Sequence, residues 1–200
     1  MSLPTCLKPE EFTDWALTRE ALAWLGEFVV AQGVRSIVEC GSGLSTILFG
    51  SLVREGKLDQ VLSLEHDEQW FEYCQFRLGE KGLTEHVDLK LCPLRQFPVS
   101  GYLVKWYDLA AIAPFAADLI LVDGPPGNSW IHARHPAPHL LQGFVRAGTW
   151  LLLDDCDRPQ EAEVLAMWLS EVPGLGLRET VRVGKGLAVL RWGNLSKEFV

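Results

Sequence analysis

The chain has no Cys-x-x-Cys pair, no uninterrupted run of 18 apolar residues and no excess of positive charge. Each absence removes a class of function. Its five cysteines (Cys6, Cys40, Cys74, Cys92, Cys156) are scattered and odd in number, which fits neither zinc ligands nor a disulfide framework. They read as small buried apolar residues in a reducing cytoplasm. No membrane-spanning helix is expected. The opening MSLPTCLKPEEF has no basic stretch leading into an apolar one, so no signal peptide is expected and the expected location is cytoplasmic. Eighteen Lys and Arg against 26 Asp and Glu leave a net charge of −8, a field that repels phosphate. A small-molecule partner is therefore expected, without nucleic acid or membrane.

What is present is a globular composition, 48% hydrophobic with eight tryptophans, in a length that suits one domain. No internal repeat, low-complexity segment or linker divides it. One domain over 1–200 is expected, with an N-terminal helical segment (1–32) and a core (33–192). Helical and strand patterns alternate. Thr18 can cap a helix to about Gln32, with Ala21, Leu25, Val29 and Val30 near one face and Gly33 ending it. Strands are predicted at Ser36–Cys40, Val61–Glu65 and Val87–Cys92, with helices at Ser45–Val53 and Glu68–Gly79. Asp118–Asp123 and Thr149–Asp155 are continuous apolar runs, as central parallel strands require. Helices are predicted at Pro136–Arg146 and Pro159–Ser170. Leu177–Val183 and Leu187–Trp192 read as a closing hairpin around Gly184-Lys185-Gly186. Pro93–Ala117 is the least regular segment, and its Tyr102, Trp106 and Tyr107 suit either a pocket wall or a packed surface. The fold expected is α/β: a Rossmann-like three-layer sandwich around a seven-stranded, mostly parallel sheet with an antiparallel C-terminal hairpin strand.

In open α/β sheets a ligand binds beyond the carboxyl ends of the strands, where strand order reverses. Those ends here carry Glu39 with Gly41 and Gly43, Glu65 with His66, Cys92 with Leu94, Asp123 with Gly124, and Asp154 with Asp155. Carboxylates gathered at strand ends are costly unless they bind something. In VECGSGLST the glycines let bare backbone N–H groups approach a ligand at a helix start. Glu65, at the end of the second strand, can accept hydrogen bonds from both ribose hydroxyls of an adenosine ligand.

With these residues the chain resembles the class I S-adenosylmethionine-dependent methyltransferases. VECGSG (38–43) is similar to their first motif, LSLEHD (62–67) to their ribose-binding motif and DLILVDGPPG (118–127) to their fourth-strand motif. One departure is Leu44, where a third glycine is usual. The resemblance implies a methyltransferase that binds S-adenosylmethionine. It places the methionine portion on Glu39, Cys40, Gly41, Ser42, Gly43 and Ser45, the ribose on Glu65, the adenine between His66 and Cys92–Leu94, and Asp123 beside the methyl group. DGPPG, with WYD (106–108) and DDCDR (154–158), is similar to a smaller branch that shares DGPPG with plant polysaccharide O-methyltransferases, which points to a hydroxylated acceptor. The acids after the fourth and fifth strands are also similar to catechol O-methyltransferase-type enzymes. Strands lie about 5 Å apart, so Asp123, Asp154 and Asp155 can converge on a hard cation such as Mg²⁺. Such an ion would lower the pKa of a bound hydroxyl. The bland alternative is that Asp154 and Asp155 cap a turn or pair with Arg158.

His132, His135 and His139 follow Asp123 closely, and an imidazole can take a proton from a hydroxyl. Asp123, His135 and His132 are thus the candidate catalytic residues. The expected activity is methyl transfer to a small molecule, most simply to a hydroxyl oxygen and possible as a divalent-metal-assisted step, by a chain that can also form a homodimer. Two other readings compete. An NAD-dependent oxidoreductase would want G-x-G-x-x-G, and Thr46 stands at its last position. A non-catalytic cofactor-binding interaction domain would use tryptophans such as Trp15, Trp24 and Trp168 on its surface.

Overall fold

The structure, a computed structural model, describes residues 17–193; Cys6 and Trp15 lie outside them. Strands β1 (Ser36–Cys40), β2 (Gln60–Glu65) and β3 (Asp88–Leu91) are followed by a separate hairpin, β4 (Leu94–Val99) and β5 (Tyr102–Tyr107). Then come β6 (Leu119–Val122), β7 (Trp150–Asp154), β8 (Leu175–Val181) and β9 (Leu187–Trp192). The main sheet has seven strands in the order β3-β2-β1-β6-β7-β9-β8. Only β9 runs against its neighbours, being antiparallel to both β7 and β8. The chain builds outward from β1 to β3, then crosses back to place β6 beside β1. That reversal opens a crevice at the carboxyl ends of β1 and β6.

The helices are α1 (Arg19–Ala31), α2 (Leu44–Arg54), α3 (Glu68–Glu80), the single turn α4 (Ala137–Leu140) and α5 (Pro159–Glu171). Thr18 caps α1 by accepting the Ala21 N–H at 3.2 Å. Ala21, Leu25 and Val29 are buried as expected, but Val30 is 44% exposed and falls off that face. Alternate strand residues feed two cores. Ile37, Leu119, Leu121 and Leu152 join α1 and α2 on one face of the sheet. Val38, Ile120, Val122, Leu151 and Leu153 join α5 and the hairpin on the other. Strands buried on both sides explain the unbroken apolar runs. Among the described residues, no helix is long and apolar enough to cross a membrane.

Three expectations change. The predicted helix over 136–146 shrinks to α4 and a 3₁₀ turn at Gln142–Phe144, because Pro138 and Gly143 break up its length. Pro93–Ala117 is not irregular throughout: β4 and β5 pair from Leu94↔Tyr107 to Val99↔Tyr102. Their two-residue loop, Ser100-Gly101, has φ of 49° and 82°, the backbone that right-twisted hairpins favour. Third, Trp168 is fully buried and Trp24 stacks on Phe28 at 4.9 Å, so both serve packing.

Candidate active site

The first half of the site is the turn between β1 and α2. Gly41 has φ of +92°, and a Cβ there would meet the backbone of Asp123 and Gly124 at 3.0–3.2 Å. Gly124 answers it: a Cβ there would lie 2.6 Å from the Tyr107 hydroxyl and 2.9 Å from Gly41 Cα. The two loops therefore touch backbone to backbone, which only glycine allows.

Glu65 closes over this turn. Its Oε2 accepts the Ser42 N–H at 3.1 Å and the Ser42 hydroxyl at 2.8 Å, while Oε1 accepts the His66 and Asp67 N–H groups at 2.7 and 3.0 Å. Burial alone would raise this carboxyl, but the hydrogen bonds from His66, Asp67 and Ser42 hold it below its ordinary value. It is an ionised acceptor. The Ser42 hydroxyl also lies 3.3 Å from Cys74 Sγ, so it has a second partner if a ligand hydroxyl takes its place on Glu65. Trp70, at the start of α3, donates its Nε1–H to the Ser42 carbonyl at 2.7 Å and pins the turn from above.

Glu39 lies beneath the turn, fully buried. Its Oε2 accepts the hydroxyls of Thr46 and Ser63, both at 2.6 Å, and Thr46 in turn accepts the Gly43 N–H at 2.8 Å. Burial pushes the Glu39 carboxyl up to about 7, against the nearby hydroxyls of Ser45, Ser63 and Thr46. Thr46, which breaks the dinucleotide fingerprint, thus joins the acid to the glycine loop.

The second half is formed by loops after β6 and β7. Asp123 follows β6, Asp154 ends β7, and Asp155 turns away with φ of 59°. Arg134, 3% exposed, reaches all three positions. Its Nη2 donates to the Asp123 carbonyl at 2.9 Å, Asp123 Oδ1 at 3.1 Å and Asp155 Oδ2 at 3.2 Å, and its Nη1 donates to the Asp154 carbonyl at 2.7 Å. Arg158 meets Asp155 Oδ2 at 2.8 Å, as the bland alternative foresaw. Burial and mutual repulsion push Asp123 and Asp154 up even against Arg134, and carboxyl oxygens of the three aspartates lie within 4.8 Å of one another.

Both halves line one cavity of about 940 Å³, ample for a nucleoside-sized ligand and a small second molecule. Of the sequence candidates, Gly41, Ser42, Gly43, Ser45, Glu65, His66, Asp123 and Asp155 line it. Others do not. Glu39 and Cys40 are sealed below the turn, Asp154 sits behind Asp123, Cys92 is buried in the second core and Leu94 packs against that core. His132 and His135 are corrections to the catalytic set. His132 Nε2 pairs with Glu163 at 2.6 Å and His135 Nε2 with Glu171 at 2.9 Å, both directed at α5 and away from the cavity.

Sequence reasoning passed over Arg134 and Trp70, which no local motif marks. Of the three aromatics in the 93–117 segment, Tyr107 lines the cavity, Trp106 is buried and Tyr102 is exposed. The Tyr107 hydroxyl is buried without a hydrogen-bond partner, and so is the Ser129 hydroxyl on the same cavity wall. Unpaired buried hydroxyls are costly, and a polar ligand reaching them through a small shift of the cavity wall would satisfy them.

A family model for a methyltransferase domain matches residues 38–156, which spans both halves of this site. No curated protein matches the chain by sequence. Solved structures share the fold at low identity. The SAH-bound Podospora anserina methyltransferase PaMTH1 superposes with a TM-score of 0.66 at 18% identity, over 90% of this chain and 81% of that one. A putative caffeoyl-CoA O-methyltransferase from Staphylococcus aureus gives 0.66 at 15%, over 89% and 85%. An O-methyltransferase from Bacillus cereus in complex with SAH gives 0.63 at 16%, over 95% and 84%. The chain therefore belongs to the methyltransferase-domain family, built on the fold of the class I S-adenosylmethionine-dependent methyltransferases.

Proposed function

We propose that this chain transfers a methyl group from S-adenosylmethionine to a hydroxyl oxygen of a small molecule. One observation carries this reading: a single cavity joins the glycine turn and ionised Glu65 at one end to Asp123, Arg134 and two unpaired hydroxyls at the other. The first end suits an adenosine and an amino acid. Glu65 can accept from a ribose diol as the Ser42 hydroxyl turns to Cys74, and the N–H groups opening α2 suit a carboxylate. The second end is rich in polar groups, including Tyr107, Asn128 and Ser129, which favours a hydroxylated acceptor such as a sugar. The O-methyltransferases among proteins of the same fold support oxygen as the nucleophile. The charge of −8 and the four buried free thiols support a cytoplasmic enzyme with no nucleic-acid partner.

S-adenosylmethionine, when bound, supplies a methyl group activated by its positive sulfur. The chain's own groups do the rest. The glycine turn and Glu65 fix one reactant, Tyr107 and Ser129 orient the other, and positioning contributes most of the rate. With the methyl donor bound, the acceptor oxygen would form its bond to the methyl carbon as the carbon–sulfur bond breaks, and the hydroxyl proton would pass to the Asp123–Asp154 carboxyl pair. Burial and mutual repulsion raise both carboxyls, which lets the pair hold that proton.

Metal assistance was expected from the three aspartates, whose oxygens do lie within 4.8 Å of one another. The donor set nevertheless fits a divalent ion poorly. The Arg134 guanidinium already bridges Asp123 and Asp155, and a second buried cation in contact with it would meet strong repulsion. The positive charge is assigned to arginine, and no step runs through a metal. Methyl transfer from labelled S-adenosylmethionine to a panel of sugars, polyols and phenols in excess chelator tests the reading. Turnover on a hydroxylated acceptor is expected to persist. Activity that returns only with Mg²⁺, or methylation confined to nitrogen acceptors, would contradict it.

A further inference from the structure

On the far side of α4 from the cavity, two imidazoles and one carboxylate converge. His135 Nε2 lies 2.9 Å from Glu171 Oε2, and His139 Nε2 lies 3.3 Å from the same oxygen. The three ligand atoms are all within 4.8 Å of one another. The two rings are tilted by 55° with centroids 4.9 Å apart, so they are not stacked face to face. None of the three residues lines the cavity.

We propose that His135, His139 and Glu171 form a binding site for a borderline divalent transition ion of the zinc class, which staples α4 to α5. Three arguments meet here. Zinc bonds to imidazole nitrogen and carboxylate oxygen of about 2.0–2.2 Å put tetrahedral ligand atoms about 3.3–3.6 Å apart, so the observed 2.9 and 3.3 Å need only small adjustments. Two imidazoles with one carboxylate suit zinc or its neighbours, whereas the hard cations prefer oxygen alone. Finally, Glu171 is the last residue of α5, whose final turn carries no basic residue. A carboxylate at the negative end of a helix is disfavoured, and a cation beside it removes that cost.

The surroundings hold the ligands in place. The His135 carbonyl accepts the Nε1–H of the fully buried Trp168 at 2.9 Å, and the Ser100 hydroxyl donates to Glu171 Oε2 at 2.9 Å. Ser100 belongs to the β4–β5 loop, so three chain segments meet at one carboxylate oxygen. The Glu171 and His139 side chains remain 28% and 19% exposed, while His139 Nε2 itself is buried without a hydrogen-bond partner, an orphaned donor atom that an ion would satisfy.

The test uses the full chain after dialysis against chelator, with Zn²⁺ and Co²⁺ alone as probes. One equivalent of Zn²⁺ is expected to raise Tm by roughly 5–10 °C once it stands about 100-fold above its dissociation constant. One equivalent of Co²⁺ is expected to give the intense visible absorption of tetrahedral cobalt. His139→Gln and Glu171→Gln should each lose both signals, while His132→Gln and Asp154→Asn keep them. Two partner variants guard against one failing to fold, and circular dichroism shows which did. Absence of both signals in the unaltered chain overturns the site, as does their survival in both variants or their loss in Asp154→Asn alone.

Discussion

At the β1–β2 end of the cavity, Glu65 is held by the N–H groups of Ser42, His66 and Asp67 and by one hydroxyl. At the β6–β7 end, Asp123 and Asp155 are held by the guanidinium of Arg134, with Arg158 on the rim. Backbone N–H and hydroxyl donors, with the His66 imidazole Nδ1 3.0 Å from Oε1, let the first carboxylate exchange partners with a ligand at little cost. Charged donors commit the second set to a fixed geometry, because a buried ion pair that loses one member leaves the other stranded. The first end is thus suited to binding and release, the second to holding a reacting geometry.

The sharpest way to break this comparison is to remove Arg134. Arg134→Met leaves Asp123, Asp154 and Asp155 together without their buried partner, and should cost about 3–5 kcal/mol in urea unfolding. The slope of its pH dependence is diagnostic. Asp123 and Asp154 already lie above their ordinary values beside Arg134, so the unaltered chain gains stability from them as pH falls. Without the cation that gain towards pH 5 should be steeper. A slope no steeper than that of the unaltered chain would mean that the arginine is not their main counterion.

Gly41→Ala attacks the seam between the two ends. With φ of +92° and backbone only 3.0–3.2 Å from the new Cβ, it should cost roughly 1–3 kcal/mol and weaken both ends together. Calorimetric Tm with a SAH titration checks this, and unchanged values in both would show that the loops do not need this contact. Glu39→Gln addresses the buried acid under the turn. Its carboxyl rises from 4.5 to about 7 on folding, so the folded state holds the extra proton. Stability from this group is greatest below pH 4.5 and declines up to about pH 7, by at most about 3 kcal/mol. Glu39→Gln should flatten that decline in a series of Tm against pH.

Much of the first end was legible in the sequence because its parts are neighbours in the chain. The glycine turn follows directly on β1, and the residues that hold Glu65 on its far side are the next two, His66 and Asp67. The long apolar runs of β6 and β7 likewise announced buried parallel strands, and β9 and β8 completed the sheet as the terminal hairpin suggested. The second end was legible only as a list of acids. Arg134 reaches Asp155 across 21 positions, and nothing in its immediate sequence distinguishes it from a loop residue. His135 and His132 misled for the same reason: proximity to Asp123 in sequence did not bring them to it in space, because α5 offers each a glutamate. The β4–β5 hairpin was missed because Pro98 interrupts its strand pattern, although Ser100-Gly101 between two half-apolar runs was the available signal.

The measurement that bears most directly on the account is the titration of the full chain and of Glu65→Gln with S-adenosylhomocysteine by isothermal calorimetry. One equivalent should bind to the unaltered chain. The Glu65→Gln substitution weakens a charge-assisted acceptor and turns an amide nitrogen towards N–H donors. It should reduce affinity about 10- to 100-fold and lower Tm by a few degrees, with circular dichroism showing the fold retained. Equal affinity in the two proteins, or heat from NAD but none from S-adenosylhomocysteine, would contradict the assignment of the glycine turn and Glu65 to the methyl donor.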